Sequence, residues 1–231
     1  MKMQNLHLLI IISTCCFLLF ACSEKKSERE QAQGTGKVIT PEQRFSLWNG
    51  KDFTGWKLFV PDENVAVDTV WMVKEGVIRC NGVPNGYMRT EMDYTNYRLS
   101  LEWRWPEEAG NSGVLLHMSE PDKVWPKSIE AQLMSGNAGD IWLIDGTEIA
   151  EHMDKSNRRV AKREESSELN LGEWNKYEII CAGNAIKLYV NGVLQNEGSE
   201  ASVQSGKICL QSEGKPIEFR NIYLEPIKNG D

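Results

Sequence analysis

The sequence predicts an all-β fold, a jelly-roll sandwich of two antiparallel sheets. Three observations support this prediction. Short apolar segments recur along the chain, turn signals separate them at short spacing, and helical periodicity is scarce. About a dozen short strands without βαβ alternation are typical of two-sheet sandwiches.

Two dipeptides mark tight hairpins between apolar runs. Glu75-Gly76 separates W-M-V-K from V-I-R-C, and Asn191-Gly192 separates I-K-L-Y-V from V-L-Q. Asn-Gly is a strong hairpin signal, because both central residues of such a turn must take positive φ. Two segments are each predicted to form a short helix or a turn, namely Thr147–Lys155 and Pro41–Phe45. Further strands are predicted at Tyr87–Met92, Lys176–Cys181, Lys207–Ser212 and Ile217–Leu224.

Three other strand-like segments carry polar residues in alternation with apolar ones: R-L-S-L-E-W-R-W (98–105), G-V-L-L-H-M (113–118) and S-I-E-A-Q-L-M (128–134). Strand side chains alternate between the two faces of a sheet. In the second segment, this puts His117 beside Leu115 and opposite Met118. The side chains predicted to share a polar face are Glu102, Arg104, His117, Glu130 and Gln132. Such a face could bind a ligand, and a merely solvated face is the alternative.

The N-terminal segment is predicted to direct the protein to the cell envelope. Residues 1–21 resemble a lipoprotein signal peptide, because a positive start precedes an apolar run shorter than the roughly 20 residues that span a bilayer. Cys22 is the predicted lipidated residue, which implies membrane attachment through the lipid anchor only. Phe20 is unusual in a lipoprotein cleavage box, so a plain signal peptide is the alternative. Ser23 favours the outer membrane, on either its periplasmic or its surface side.

Residues 22–40 are predicted to be a flexible tether, because this stretch is polar and holds few large apolar side chains. Residues 41–228 are long enough for one all-β domain with a sizeable core. The formal charge of −7 and the lack of a basic stripe argue against nucleic-acid binding. Three cysteines remain in the domain, Cys80, Cys181 and Cys209, and are predicted to be small buried hydrophobes. One disulfide among them is the alternative.

Six motifs occur along the chain in a specific order. They are F-S-L-W-N-G-K-D-F-T-G-W (45–56), N-S-G-V (111–114), I-E-A-Q-L (129–133), G-E-W-N (172–175), Y-V-N-G (189–192) and G-K-I-C-L-Q-S-E-G-K-P-I-E-F-R-N-I (206–222). Together they resemble the 3-keto-disaccharide hydrolase family, also called the DUF1080 domain. The resemblance covers Phe45 to Pro226. It implies a concanavalin-like jelly roll that acts on glycosides whose sugar carries a ketone at C3. It also implies a functional partnership with a sugar 3-oxidoreductase.

This chemistry needs three kinds of group. A C3 ketone acidifies the hydrogen on C2, so a base can remove it, and the C1–oxygen bond then breaks by elimination. A base, a group that stabilises the enolate and an acid are therefore required. Glu130 or His117 is the predicted base, Arg104 the predicted enolate stabiliser, and Glu102 the acid or the residue that orients Arg104. A simple exposed ion pair is the alternative for Glu102 and Arg104.

Further side chains are predicted to contact the carbohydrate substrate, and they are Gln132, Arg89, Gln211, Trp125 and Trp142. The two tryptophans lie in or near long connections, where binding groups concentrate. The other tryptophans of the domain are predicted to be core residues. No cofactor is predicted. A divalent metal held by His117, Glu130 and Asp140 is the alternative, although no spacing signature supports it.

The sequence therefore predicts a lipid-anchored enzyme of the cell envelope, a hydrolase or lyase that cleaves 3-keto-glycosides. The competing hypothesis is a non-catalytic carbohydrate-binding module of a polysaccharide uptake system, because sandwich folds host both kinds of function.

Overall fold

The computed structural model describes residues 37–228 and residue 230. The predictions for the signal peptide, Cys22 and most of the tether lie outside these residues. Within them, one short 3-10 helix (Val67–Thr69) accompanies the strands, and no helix is long and apolar enough to cross a membrane. The strands are β1 (Val38–Ile39), β2 (Phe45–Ser46), β3 (Trp56–Phe59), β4 (Trp71–Lys74), β5 (Val77–Cys80), β6 (Gly86–Thr90), β7 (Asp93–Tyr94), β8 (Tyr97–Arg104), β9 (Gly113–Met118), β10 (Ser128–Gln132), β11 (Ile141–Ile144), β12 (Arg159–Val160), β13 (Asn175–Ala182), β14 (Ala185–Val190), β15 (Val193–Gly198), β16 (Lys207–Ser212) and β17 (Ile217–Glu225).

Two large antiparallel sheets form the predicted jelly-roll sandwich. The front sheet has the order β12-β11-β10-β9-β16-β6-β3. The back sheet has the order β15-β14-β13-β8-β17-β5-β4, and β2 also pairs with β17. The short strands β1 and β7 form a separate parallel pair. Strands β8 and β9 are consecutive in the chain but belong to different sheets, which decides where several predicted site residues lie.

The core lies between the two sheets and follows from strand alternation. On β8 every second side chain is buried, including Leu99, Leu101 and Trp103, while Glu102 and its polar neighbours are partly exposed. On β10, Ile129 and Ala131 join the same core cluster. Full burial of a large apolar side chain contributes about 1.5–3 kcal/mol, so a row of such residues on each sheet accounts for the packing of the sandwich.

The predicted hairpins form as expected. Glu75 and Gly76 have φ of 52° and 80°, and Asn191 and Gly192 have φ of 50° and 85°. Positive φ at both central residues is the geometry of a type I′ turn, whose twist matches that of the flanking strands. The segment Thr147–Lys155 is a set of turns, and its first side chain donates from Oγ1 to the Ser128 carbonyl at 2.9 Å. Pro41–Phe45 consists of bends that lead into β2.

Cysteine and tryptophan placements follow the predictions with one exception. Cys80, Cys181 and Cys209 are buried and free, so none of them forms the alternative disulfide. Five of the six tryptophans predicted for the core are buried. Trp174 is only partly buried, because it lies on the outer face of the back sheet, where the guanidinium groups of Arg104 and Arg220 stack on its ring.

Candidate active site

A buried carboxyl group lies on the outer face of the front sheet. Because Ile129 and Ala131 point into the core, Glu130 points to the opposite face, as the alternation predicted. Its side chain is only 6% exposed, and Oε1 has no hydrogen-bond partner among the described residues. The pKa of Glu130 is raised to about 8, mainly by burial and also by the nearby charge of Glu213, while Arg158 and Gln211 act in the opposite direction.

The Gln211 side chain faces this carboxyl group, and both occupy the space that a side chain at Gly113 would otherwise fill. Gln211 lies on β16 and Gly113 on β9, next to β10. The Gln211 amide lowers the pKa of Glu130, yet its Nε2 and Oε1 atoms have no partner of normal hydrogen-bond geometry among the described residues. A buried polar group without a partner is costly. The unsatisfied atoms of Gln211 and Glu130 are therefore placed to bind a polar ligand.

A second carboxyl group with a perturbed pKa belongs to the same cluster. Glu213 lies two residues after Gln211. Its backbone forms an isolated antiparallel β-bridge with Asn111, the first residue of N-S-G-V. Burial raises the pKa of Glu213, and a hydrogen bond from the Asn111 side chain opposes this shift. Two carboxyl groups with raised pKa values, beside an uncharged amide, form an arrangement suited to proton transfer.

The other end of the same face is closed by the loop between β9 and β10. Asp122 of this loop accepts hydrogen bonds from the Tyr87 hydroxyl at 2.9 Å, from Arg89 Nε at 2.7 Å and from Lys57 Nζ at 2.7 Å. Arg89 also donates to Glu120 at 2.8 Å. Although burial alone would raise the pKa of Asp122, these hydrogen bonds bring it down to about 2. Arg89, a predicted substrate contact, shares a face with Tyr87, but its guanidinium group is occupied by the loop carboxylates.

An apolar floor lies between the carboxyl cluster and this loop. Leu115, Met118, Cys209 and Tyr87 form a separate buried cluster on the outer face of the front sheet. Antiparallel sandwich sheets are commonly solvated on one face, so a face this buried requires a cover. The loop that carries Asp122 reaches from β9 to β6 and β3 and supplies it.

The prediction that Glu102 and Arg104 join Glu130 is wrong. Both lie on β8 of the back sheet, because the chain crosses between sheets after β8. Their partners are directly opposite on β17: Arg220 Nε donates to Glu102 at 2.6 Å, and Arg104 Nε donates to Glu218 at 2.7 Å. The two residues belong to a partly exposed ladder of ion pairs on the other side of the molecule, which agrees with the alternative of simple ion pairing.

The prediction for His117 is also wrong, because β9 bulges at this residue. His117 has φ of 55°, and the pairing of β9 with β16 shifts register beside it. The ring therefore turns inwards, packs edge-on against Tyr97 at 5.6 Å and forms a 3.2 Å hydrogen bond through Nδ1 with the Val203 carbonyl. Met118 takes the outer position instead. Burial lowers the pKa of His117 to about 4.

The alternative metal site does not assemble. His117 faces the core, and Asp140 accepts hydrogen bonds from Arg159 Nε at 2.6 Å and from the Lys162 backbone at 2.7 Å. Across residues 37–228, no three His, Cys, Asp or Glu side chains come together as a metal centre requires.

The family of the chain is decided by a match to the 3-keto-α-glucoside-1,2-lyase-like domain over residues 44–225. The chain belongs to this lyase-like family. Membership supports a carbohydrate-active function. Curated proteins gave no significant match.

Solved structures confirm the fold of this lyase-like chain. A candidate glycosyl hydrolase of Parabacteroides distasonis is 23% identical, with a TM-score of 0.60, over 87% of this chain and 97% of the other. A carbohydrate-binding module of Bacillus subtilis is 8% identical, with a TM-score of 0.55, over 82% and 99%. A Bacillus licheniformis β-glucanase is 15% identical, with a TM-score of 0.51, over 80% and 99%. The same sandwich therefore occurs in proteins named as enzymes and as binding modules.

The remaining predicted contacts of the lyase-like domain have different surroundings. Trp142 is partly exposed and lies directly opposite Glu130 on the neighbouring strand. Trp125 is 38% exposed in the loop that carries Asp122. Gln132 shares the outer face, but its Oε1 accepts hydrogen bonds from the backbone of Leu133 and Met134 at 2.9 Å. That oxygen therefore holds the end of β10.

The residues that sequence reasoning missed lie next to its motifs. Gly113 and Asn111 belong to N-S-G-V, and Glu213 belongs to L-Q-S-E-G, both of which were recognised as family motifs. Arg158 is exposed, and its charge acts on Glu130. Asp122 had no sequence signal, because its partners lie about 30 to 65 positions earlier in the chain.

Proposed function

We propose that this protein cleaves the glycosidic bond of 3-keto-glycosides by elimination across C1 and C2, followed by addition of water. The observation that carries the proposal is the Glu130 carboxyl group, buried on the outer face of the front sheet with one oxygen unpartnered. A base that removes a proton from carbon needs a raised pKa, and burial gives Glu130 a pKa of about 8.

The proposed reaction begins with transfer of the C2 proton to the ionised Glu130 carboxylate. The electrons of the C–H bond form an enolate whose charge resides on the C3 oxygen. As the C3 carbonyl re-forms, a C1–C2 double bond appears and the C1–oxygen bond breaks. The departing oxygen takes a proton, which yields an alcohol and an unsaturated 3-keto sugar. Water then adds its oxygen to C1 and a proton returns to C2, so the net reaction is hydrolysis.

Neighbouring side chains supply the other roles. The unpartnered Gln211 amide is proposed to donate a hydrogen bond to the enolate oxygen. The positive charge of Arg158 favours the ionised form of Glu130, which accepts the proton. Glu213 is proposed as the acid, because its raised pKa favours the protonated form that can protonate the leaving oxygen. The Glu102 and Arg104 pairs lie on the other sheet and have no part in this mechanism.

The proposal is tested by following release of the leaving sugar from a disaccharide oxidised at C3 of its non-reducing ring. Glu130→Gln keeps the size of the side chain but removes the base, so turnover should fall by about 10²–10⁴-fold. Glu102→Gln on the back sheet is the matched control and should leave turnover unchanged. Binding of the keto-disaccharide without turnover by the unaltered protein would instead support a carbohydrate-binding module.

An isotope experiment distinguishes elimination from direct hydrolysis. In D₂O, elimination followed by hydration places deuterium at C2 of the released keto sugar, whereas direct displacement at C1 leaves hydrogen there. The protein-free keto-disaccharide, incubated in parallel, corrects for spontaneous exchange beside the ketone. Rapid turnover without deuterium at C2 would rule out Glu130 as a carbon base.

We also propose that the protein is anchored to the bacterial cell envelope through a lipid on Cys22, where a sugar 3-oxidoreductase supplies its keto substrates. The support is the sequence pattern of residues 1–22. The Cys22→Ala variant, expressed in a bacterial host and fractionated, should leave the membrane fraction and should lose labelling by a fatty-acid probe. Retention and labelling of the variant would contradict the anchor.

A further inference from the structure

An open depression lies beside Glu130 at the edge of the front sheet. It has a volume of about 450 Å³ and is lined by Trp142, Asp154, Asn157, Arg159 and Ala161. An aromatic face surrounded by a carboxylate, an amide and a guanidinium group suits a ring that carries hydroxyl groups. The mixture of one apolar surface with a few polar groups is typical of small-molecule sites.

Strand register ties this depression to the proposed base. Trp142 on β11 is directly opposite Glu130 on β10, and Arg159 on β12 is directly opposite Trp142. The three side chains therefore form one row across the outer face of the sheet. Neighbouring strands are about 4.8 Å apart, so a ring stacked on Trp142 would adjoin a ring placed over Glu130.

In the opposite direction along the sheet, the outer face is apolar and covered. On that side the next residues are Leu115 and Cys209, both fully buried, and the loop anchored by Asp122 lies beyond them. A hydroxylated group would find few hydrogen-bond partners there. Trp142 is by contrast partly exposed at the open edge.

We infer that the depression at Trp142 is the subsite that binds the leaving sugar of the disaccharide substrate. The keto ring then lies over Glu130, Gly113 and Gln211, and the glycosidic oxygen points towards the sheet edge. This inference rests on the proposed function, since it assigns the second half of the same substrate. Arg159 keeps its position through Asp140, to which its Nε donates at 2.6 Å, and a lone pair of Asp154 remains for a hydroxyl group.

The test compares two substrates of the full-length protein that share one keto ring. The first is a 3-keto-disaccharide, and the second is the corresponding methyl 3-keto-glycoside, whose leaving group is too small to reach Trp142. Trp142→Ala should lower kcat/KM for the disaccharide by about 3- to 10-fold, as loss of one aromatic contact implies, and leave the methyl glycoside within about 2-fold. Trp142→Phe should restore part of the loss.

Trp174→Ala is the matched control, because Trp174 is a partly exposed tryptophan on the outer face of the back sheet, away from the site. It should not change the ratio between the two substrates. An equal loss on both substrates, or no loss on the disaccharide, would overturn the subsite.

Failure of the proposed function gives a different result. If the unaltered protein cleaves neither substrate, calorimetric titration with the 3-keto-disaccharide still tests the subsite. Trp142→Ala should then weaken binding of the disaccharide but not of the methyl glycoside. Equal affinities in the variant and the unaltered protein would reject the subsite independently of catalysis.

Discussion

Gly113 leaves the space that the Glu130 carboxyl group occupies. A Cβ atom at position 113 would overlap Oε1 of Glu130 and would approach Gln211 Oε1 to 2.8 Å. The backbone of Gly113 does not have positive φ, so the requirement at this position is for space and not for conformational freedom. The absence of a side chain on β9 is what allows a carboxyl group on β10 and an amide on β16 to face one another.

The Gly113→Ala variant should therefore lose activity without losing its fold. The added methyl group displaces the Glu130 carboxyl group, and overpacking of this kind costs about 1–3 kcal/mol. We expect turnover of a 3-keto-disaccharide to fall at least 10-fold, with a measurable decrease in the thermal midpoint.

Gly198→Ala on β15 is the control for the loss of stability alone. The atoms nearest to its Cβ would belong to the Ile149 side chain, the closest at 3.0 Å. This control should lower the thermal midpoint slightly and leave turnover per folded molecule unchanged. Full activity in Gly113→Ala would show that the position of the carboxyl group is not critical.

The raised pKa of Glu130 predicts a specific dependence of stability on pH. The folded state holds the proton up to about pH 8, whereas the unfolded chain releases it near the ordinary value of 4.5. The folded state is therefore favoured most below pH 4.5, and this contribution is lost as pH rises to about 8. Glu130→Gln, which is neutral at every pH, should be more stable than the unaltered protein by a few kcal/mol at pH 8–9.

Thermal unfolding of both proteins across pH 4–9 measures this difference. The two midpoints should be similar near pH 4 and should separate progressively above it. A constant difference at all pH values would mean that Glu130 titrates normally. The same pKa implies that turnover rises with pH towards about 8, because only the ionised carboxylate can accept the C2 proton.

Local pattern was sufficient to orient Glu130 but not to assemble the site. In I-E-A-Q-L the alternation with Ile129 and Ala131 directed the carboxyl group outwards, and the structure agrees. The same reasoning placed Glu102 beside it, because successive strands were assumed to be neighbours. In a sandwich, consecutive strands often belong to opposite sheets, and no feature of 98–118 reveals that crossing.

His117 shows a second limit of periodicity. A single residue with positive φ reverses the alternation after it, so His117 and Met118 exchange faces. Non-glycine residues with positive φ are uncommon, and although histidine is enriched among them, one histidine within a strand does not predict such a residue. The glycine at position 206 is related to this bulge, since a Cβ at Gly206 would approach the His117 backbone to 2.5 Å. That relationship joins residues 89 positions apart and is visible only in three dimensions.

Asp122 is predicted to hold the loop between β9 and β10 in place over the front sheet. Its carboxylate neutralises Arg89, which is 5% exposed, and loss of one partner of a buried ion pair is strongly destabilising. Asp122→Asn should lower the free energy of unfolding by about 2–3 kcal/mol. Because the pKa of Asp122 is lowered to about 2, its contribution is present above the ordinary value of 3.8 and is lost as pH falls from there.

Asp145→Asn provides the comparison for Asp122. Asp145 follows β11 and forms an ion pair at 2.8 Å with Lys123, which lies in the same loop as Asp122. Both side chains of this pair are 47% exposed. Exposed pairs contribute less than about 1 kcal/mol, so chemical denaturation should show a small effect for this variant and a large one for Asp122→Asn. Similar effects for the two variants would mean that the buried network does not hold the loop.

His117 is predicted to support the core and not the chemistry. Asparagine tolerates positive φ and can donate to the Val203 carbonyl, so His117→Asn should fold, with a cavity cost of about 1–3 kcal/mol at pH 7. Burial lowers the pKa of His117 to about 4, so the neutral ring stabilises the fold above pH 6.5 and this contribution is lost as pH falls to about 4. The variant should lose that slope in stability between pH 6.5 and 4, while the pH profile of turnover keeps its shape. If turnover instead loses a titrating group with the substitution, the imidazole takes part in the reaction despite its position in the core.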